Sequence, residues 1–231
     1  MNSKVLLLVA GAGAVVAWRR RHHRSDATGA LTPDQHIAAD PLIIEVSDDP
    51  DDVLRLLRDG WAHVRDAADA VVAMPTDGKA AAERARHAAA RMVISAVQLD
   101  SAEEAVVWPV VRAELEGGAD LTDEADRRGV ELRRHLHRCD EVRPGDPTWS
   151  GAMAAAAEAI TARDVWARTH VWPAFSKAVP ARRRVELGHA LEVARASAPT
   201  RPHLATPGAH PKADRLRAVV DRVADTATGR G

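Results

Sequence analysis

The chain has 231 residues, enough for one substantial core with appendages, and its 46% apolar and 28% charged content is typical of a globular protein. A formal net charge of −1 excludes the global basic field that holds a nucleic-acid backbone, and no basic stripe interleaved with aromatic residues replaces it. We therefore expect no nucleic-acid partner. The single cysteine, Cys139, excludes an internal disulfide and a cysteine-based metal motif, and we predict that it is a small core residue.

An uninterrupted run of apolar or small residues begins at Val5 and ends at Trp18, between Lys4 and the basic cluster at residues 19–24. As a helix it would extend roughly 21 Å, against about 30 Å for the hydrocarbon core of a bilayer. We expect residues 1–24 to form a membrane anchor with its basic flank, which keeps the main domain cytoplasmic. The alternatives are a cleaved secretory peptide and a non-spanning start of a soluble cytoplasmic protein.

Residues 25–48 are predicted to be a linker, and the main domain is predicted to begin at Asp49, which would cap a first helix that has Pro50 at its first position. This helix is expected to continue to about Met74, just before a proline. Its apolar residues recur three and four positions apart and so share one face. They are Leu54, Leu57, Trp61, Val64, Ala68 and Val71.

Three more long helices are predicted by the same spacing. The second extends from about Gly78 to Gly117, the third begins at Thr122 as a capping residue, and the fourth begins with Asp146 as cap and Pro147 at its first position. The second face comprises Ala85, Ala89, Met92, Ala96, Leu99, Glu103, Val106 and Val110; the third Ala125, Gly129, Leu132, Leu136 and Cys139; the fourth Met153, Ala156, Ile160, Arg163, Ala167, His170 and Ala174.

A Val-Trp-Pro phrase occurs twice, at residues 107–109 and 171–173, near the end of the second and of the fourth predicted helix. The prolines Pro109 and Pro173 are each expected to remove a backbone hydrogen bond and bend the helix. The repetition indicates two similar helix pairs. We predict an all-α fold in which residues 49–180 form an up-down-up-down four-helix bundle, with an N-terminal apolar helix and additional C-terminal helices. The C-terminal segment, residues 181–231, would carry helices at 181–196 and 212–224 and a proline-containing tail between them.

Over about residues 50–200 the chain resembles bacterial hemerythrin-like proteins of the HHE cation-binding class. In that family the first and third helices each provide a His, while the second and fourth each provide a His and, four residues later, a Glu. The resemblance implies a four-helix bundle around a di-iron site. Two ligands four residues apart lie on one helical face, as an interior metal site requires.

The family's ligands are mostly replaced in this chain. The first and third helices have Trp61 and Gly129 at the His positions, the second has Leu99 and Glu103, and the fourth has Arg163 and Ala167. Only Glu103 matches the family, and one carboxylate cannot hold iron alone. We therefore expect a degenerate site without a metal or other cofactor.

The substitutions have a physical interpretation. Bulky Trp61 and Leu99 would fill the vacated volume, and Gly129 would make room for Trp61. The Arg163 guanidinium would replace the cation and pair with Glu103, because an unpaired buried carboxylate is costly. Glu103 at a solvated edge, or paired with His170 or another donor, is the alternative. His170 is interpreted as an interior or rim residue, and the surface histidines are His63, His87, His135 and His137.

We predict a non-enzymatic, hemerythrin-like protein with a structural or protein-interaction role and a partner that the sequence does not identify. The alternative is a cation- or oxygen-binding protein whose ligands are rearranged around Glu103 and His170. Catalysis is not expected, because no nucleophile-base pair, phosphate loop or pair of interior carboxylates is recognisable in the sequence.

Overall fold

The computed structural model describes residues 49–202, and within them the chain forms seven α-helices and no strand. This part of the protein is therefore all-α, as predicted. The helices are α1 (Val53–Val72), α2 (Lys79–Val106), α3 (Trp108–Glu114), α4 (Gly118–Glu141), α5 (Trp149–His170), α6 (Trp172–Ala178) and α7 (Ala181–Ser197).

The first helix begins three residues later than predicted. Asp52, not Asp49, is its cap: the Asp52 backbone is extended and its carboxylate accepts a hydrogen bond of 2.9 Å from the Leu54 backbone N–H. Asp49 instead accepts a hydrogen bond from the Asp51 N–H, which shapes the turn before the helix. The sequence offered several aspartates in a row, and only the backbone path decides which one can reach the first turn.

The predicted caps of the third and fourth helices are also wrong. Helix α4 begins at Gly118, directly after Gly117, which adopts a left-handed conformation (φ 67°) that glycine tolerates best. Thr122 lies inside this helix and donates a hydrogen bond to the Gly118 carbonyl. Asp146 accepts a hydrogen bond from the Arg143 N–H within a turn, and α5 begins only at Trp149.

The two Val-Trp-Pro phrases divide the second and fourth predicted helices, although the sequence predicts only a bend and a lost hydrogen bond at each proline. Helix α2 ends at Val106 and α3 begins at Trp108, while α5 ends at His170 and α6 begins at Trp172. Each proline is the second residue of the shorter helix, where its missing N–H leaves no intrahelical bond unmade. Trp108 and Trp172 then stack on each other, with ring centres 5.4 Å apart. The repeated phrase therefore brings its own two copies together.

The predicted faces of α1 and α4 are buried throughout, and that of α2 is buried from Ala85 to Glu103. In α5 the predicted face is buried only as far as Ala167. His170, the last residue of α5, is exposed, and so is Ala174, which lies in α6 after the interruption at Val171. Residues of the new helix and the break are buried in their place: Val171, Trp172 and Phe175.

Helix α1 packs against α2 and α5, and α4 packs against α2, α3 and α5. Helix α7 packs against α1 and α2. It approaches so closely that a Cβ on Gly188 would lie 1.8 Å from the Asp51 carbonyl oxygen. A buried ion pair joins the same elements, since Arg184 Nε lies 2.8 Å from Asp52 Oδ2. Arg184 Nη1 also donates to the carbonyls of Ser176 and Val179.

Several predictions concern residues outside the described range. They include the apolar run at residues 5–18, the linker at 25–48 and the helix at 212–224. The domain boundary at residue 180 also stays a prediction. Among residues 49–202, none of the helices has the length and apolar content needed to cross a bilayer.

Replacing Asp52 with Ala is expected to lower the free energy of unfolding by about 3 kcal/mol, because the helix cap is lost and Arg184 is left buried without its carboxylate. Urea denaturation followed by circular dichroism measures the change. Asp51→Ala is the matched control, since Asp51 is exposed, and it should change stability by less than about 0.5 kcal/mol. Equal effects of the two substitutions would contradict a special role for Asp52.

Candidate functional site

The six positions that the sequence resemblance aligned with metal ligands are all buried in the described structure. They lie on the four longest helices, in the middle of the apolar core. In chain order they are Trp61 on α1, Leu99 and Glu103 on α2, Gly129 on α4, and Arg163 and Ala167 on α5.

Glu103 and Arg163 form the predicted ion pair. Glu103 is 0% exposed and Arg163 is 3% exposed, and Arg163 Nη2 lies 2.7 Å from Glu103 Oε2. The other oxygen of Glu103 accepts a hydrogen bond from the indole N–H of Trp61. A solvated Glu103 and a Glu103–His170 pair are wrong for this structure, because Glu103 is buried and His170 is exposed, with Nδ1 3.0 Å from the Trp166 carbonyl. The further alternative of another donor holds in addition to the ion pair, since Trp61 provides one.

A second carboxylate shares the guanidinium. Asp100, one helical turn before Glu103, is 1% exposed, and its Oδ1 lies 2.8 Å from Arg163 Nη2. The expectation of no paired interior carboxylates is therefore wrong. The spacing of apolar residues does not reveal Asp100, because it lies beside the main apolar face of α2 and not on it. An acidic residue at that spacing from Glu103 was the available signal.

Arg133 on α4 completes the cluster. Its Nη1 lies 2.5 Å from Asp100 Oδ2 and 2.5 Å from Glu104 Oε1, and the residue is 7% exposed. A Cβ on Gly129, one turn earlier, would meet the Arg133 guanidinium at 3.3 Å. Gly129 therefore makes room for Arg133 and not for Trp61, which corrects the prediction. On α4 the positive charge is therefore carried by Arg133, four residues after Gly129, the position that the resemblance aligned with a metal ligand.

Aromatic rings line the guanidinium of Arg163. Its Cζ lies 4.7 Å from the ring centre of Trp61 and 6.0 Å from that of Trp108. Within the described structure, Arg163 Nε and Nη1 have no hydrogen-bond acceptor. The ring faces provide cation–π attraction at these two groups instead. Arg163 is thus held by two carboxylates at one nitrogen and by indole rings around the rest of the group.

Burial and charge shift the protonation equilibria of the cluster. Burial raises the pKa of Glu103, although Arg163 and the Trp61 N–H oppose the shift. Burial alone would lower the pKa of Arg163, but the attraction of Glu103 and Asp100 outweighs it and the pKa is raised. Arg163 therefore stays charged at neutral pH, and the carboxylates beside it are compensated.

The cluster contains three carboxylates and two guanidinium groups, so one negative charge lacks a full counterpart. Glu104 is the member nearest to solvent, with a side chain 35% exposed. Burial and the neighbouring Asp100 raise its pKa to about 7, and Arg133 only partly opposes them. Glu104 is therefore the group of the cluster that titrates near neutral pH.

A separate ion cluster lies between α1 and α5. Asp164, next to Arg163 in sequence, is 2% exposed and accepts a hydrogen bond from Arg65. Arg168, one turn later on α5, lies 3.3 Å from the same carboxylate oxygen. Burial raises the pKa of Asp164 above its ordinary value, and the opposing effect of the two arginines is not large enough to cancel this shift. None of its members interrupts a predicted apolar face, so the spacing of apolar residues does not reveal this cluster.

The residues present do not fit a di-iron centre. Among the described residues, no group of three or more His, Cys, Asp or Glu side chains is arranged to hold a metal ion. A permanently charged guanidinium lies between the two central carboxylates, where its charge opposes a cation. His63 is exposed, and His87, His135 and His137 are half-buried; among the described residues the side chains paired with Glu103 are those of Trp61 and Arg163.

No family of known proteins, no curated protein and no solved structure matches the chain.

Replacing Glu103 with Gln is expected to lower the free energy of unfolding by about 3 kcal/mol, because Arg163 then lacks one of its two buried counter-charges. The double variant Glu103→Leu with Arg163→Leu should be more stable than Glu103→Leu alone, because no unpaired charge remains. Thermal and urea denaturation measure both effects, and exposed Glu114→Gln serves as the control. Unchanged melting of Glu103→Gln would contradict a charged pair in the folded protein.

Glu104 should make the protein less stable as the pH rises. Its folded-state pKa of about 7 lies above the ordinary value of 4.5, so the folded protein binds the proton more tightly than the unfolded chain. Its contribution is fully present below about pH 4.5 and is lost as the pH rises through about 7. Because the side chain is one-third exposed, we expect about 1 kcal/mol of pH-dependent stability and not the full effect of the shift.

The measurement compares urea denaturation of wild type and Glu104→Gln between pH 5 and pH 8. The difference in stability between the two proteins should move in favour of the variant by about 1 kcal/mol across this range. Glu114→Gln should show no such trend. A stability difference between the two proteins that is independent of pH would contradict this prediction, because Glu104 would then have lost its proton below pH 5.

Proposed function

We propose that this protein is a hemerythrin-like, up-down-up-down four-helix bundle whose di-iron site has been replaced by a charge cluster, and that its role is structural or protein-interacting and not enzymatic. The observation that carries the proposal is the Arg163 guanidinium, which lies between the buried carboxylates of Glu103 and Asp100. Residues 5–18 remain its proposed membrane tether, with the main domain on the cytoplasmic side.

The order of helix packing supports the bundle. Each of the four longest helices packs against two of the others in a closed ring, in the order α1, α2, α4, α5 and back to α1. Short connections between successive members favour antiparallel neighbours. Such a ring encloses one core, and Trp61, Glu103, Gly129 and Arg163 then contribute to it from four different helices.

The chemistry of the centre supports a role without metal. In a hemerythrin-like site two or more carboxylates compensate the charge of the cations, and here a guanidinium supplies that positive charge from within the chain. Arg163 cannot lose its proton at neutral pH, so it does not vacate the position for a cation. The competing function, cation or oxygen binding around Glu103 and His170, needs an imidazole near Glu103, and His170 lies at the surface.

Metal analysis of the full chain tests the proposal. Protein expressed in iron-replete medium, and protein given ferrous iron anaerobically after purification, should both contain far less than one iron per chain and show no oxo-iron absorption band. Arg163→Ala, which removes the internal cation but keeps both carboxylates, is a matched variant for detecting residual affinity. Stoichiometric iron with an oxo-iron band in the wild type would overturn the proposal in favour of the cation-binding alternative.

A further inference from the structure

An open groove follows the line of contact between α4 and α5. It encloses a cavity of about 200 Å³, and the residues of the range 49–202 that line it all belong to one of these two helices. His135 and the largely buried Arg163 also line the groove, and the rest of its floor is apolar, because Leu132 lies at the bottom and small side chains follow one another along α5. These small residues are Ala155, Ala159 and Ala162.

The rim of this groove carries two carboxylates without an ion-pair partner among the described residues. Glu131 on α4 and Glu158 on α5 are exposed, and neither takes part in any of the ion pairs formed within residues 49–202. Arg128, which also lines the groove, is already paired with Glu124 and lies over the Trp166 ring. An occupant of the groove should therefore present an apolar stripe flanked by basic residues.

The chain itself leads toward this groove. Helix α7 covers the opposite pair, α1 and α2, and the chain after it stays packed on the protein, with Pro199, Thr200 and Pro202 buried. Arg201 lines a second cavity together with Trp149, the first residue of α5, and with residues of α2 and of the end of α4. The described residues therefore end beside α2, at the side of the protein where α4 ends and α5 begins.

The remaining chain is long enough to reach the groove. Residues 203–211, which contain two prolines, can extend about 30 Å. The middle of the groove at Ala159 lies about 15 Å along α5 from Trp149. A helix formed by residues 212–224 would be about 20 Å long, which is enough to cover the roughly 13 Å of α5 from Ala155 to Arg163 that lines the groove.

The sequence of residues 212–224 has the complementary character. Leu216, Val219, Val220 and Val223 recur at helical spacing and would form one apolar face. Four basic residues against two aspartates give the segment a positive charge: Lys212, Arg215, Arg217 and Arg222 oppose Asp214 and Asp221. The apolar face of the segment therefore matches the apolar floor of the groove, and its basic residues match the acidic residues at the rim.

We propose that residues 212–224 of this chain dock as an amphipathic helix in the groove between α4 and α5. In this arrangement the valines cover the alanines of α5, and Glu131 and Glu158 pair with the arginines of the segment. The interaction is intramolecular, so its effective concentration is high even though the contact area is small. The proposed docking does not depend on whether the centre of the protein holds a metal.

Disulfide cross-linking of the full chain tests this docking. Cys139 is first replaced with Ala, although burial raises the pKa of its thiol to about 12 and already makes it unreactive. In this background the pair Ala159→Cys with Val220→Cys joins the middle of the groove to the middle of the segment. Central positions are chosen because they meet whichever way the helix lies in the groove.

The matched control pair is Ala190→Cys with Val220→Cys. Ala190 is exposed on α7, away from the groove, and is closer to residue 220 in sequence than Ala159 is. For an undocked tail, the shorter loop of the control pair would close at least as readily. Docking reverses this order, and the groove pair should form an intramolecular disulfide about tenfold faster under mild oxidation.

A second pair of variants keeps the test decisive. Leu216→Asp on the apolar face should abolish the advantage of the groove pair, while Ala218→Asp on the opposite face of the predicted helix should preserve it. Circular dichroism verifies that each variant is folded. Equal rates for the two cysteine pairs, or insensitivity to Leu216→Asp, would overturn the proposal. A groove-pair disulfide found only between two chains would also overturn it, because the occupant would then be a second copy.

Discussion

The central constraint on this structure is that Glu103 and Asp100 are carboxylates in a core from which water is excluded. Such groups need positive charge within a few ångströms, because the interior does not solvate them. Arg163 meets that need from α5 and Arg133 meets it from α4, so the ion pairs connect helices that are distant in sequence. The charge cluster consequently couples helix packing to protonation, with Glu104 as the group that exchanges a proton near neutral pH.

The aromatic residues depend on the same arrangement. Trp61 donates its indole N–H to Glu103 and presents its ring to Arg163, so one side chain serves both members of the pair. The helix interruptions at Val107 and Val171 place Trp108 against Trp172 at the end of the core, and Trp108 also faces Arg163. Two prolines that only weaken regular helices therefore contribute to the enclosure of a charged group.

The site could be predicted in part. The spacing of apolar residues identified the buried faces of α1 and α4, and the position of Arg163 on such a face predicted its pairing with Glu103, because both facts follow from helical geometry. Asp100, Arg133 and Asp164 could not be found in this way. They lie beside the apolar faces, where burial depends on how closely neighbouring helices approach, and Gly129 and Gly188 determine that approach only through the folded structure.

By itself, the sequence determined the helical class of the described residues, the number of main helices and most of their buried faces, because these depend on residue type and local periodicity. Tertiary structure alone decided which aspartate caps α1, that Arg184 holds α7 against the first helix, and that two carboxylates share Arg163. These outcomes depend on distances between segments far apart in the chain. Local periodicity carries no information about such distances.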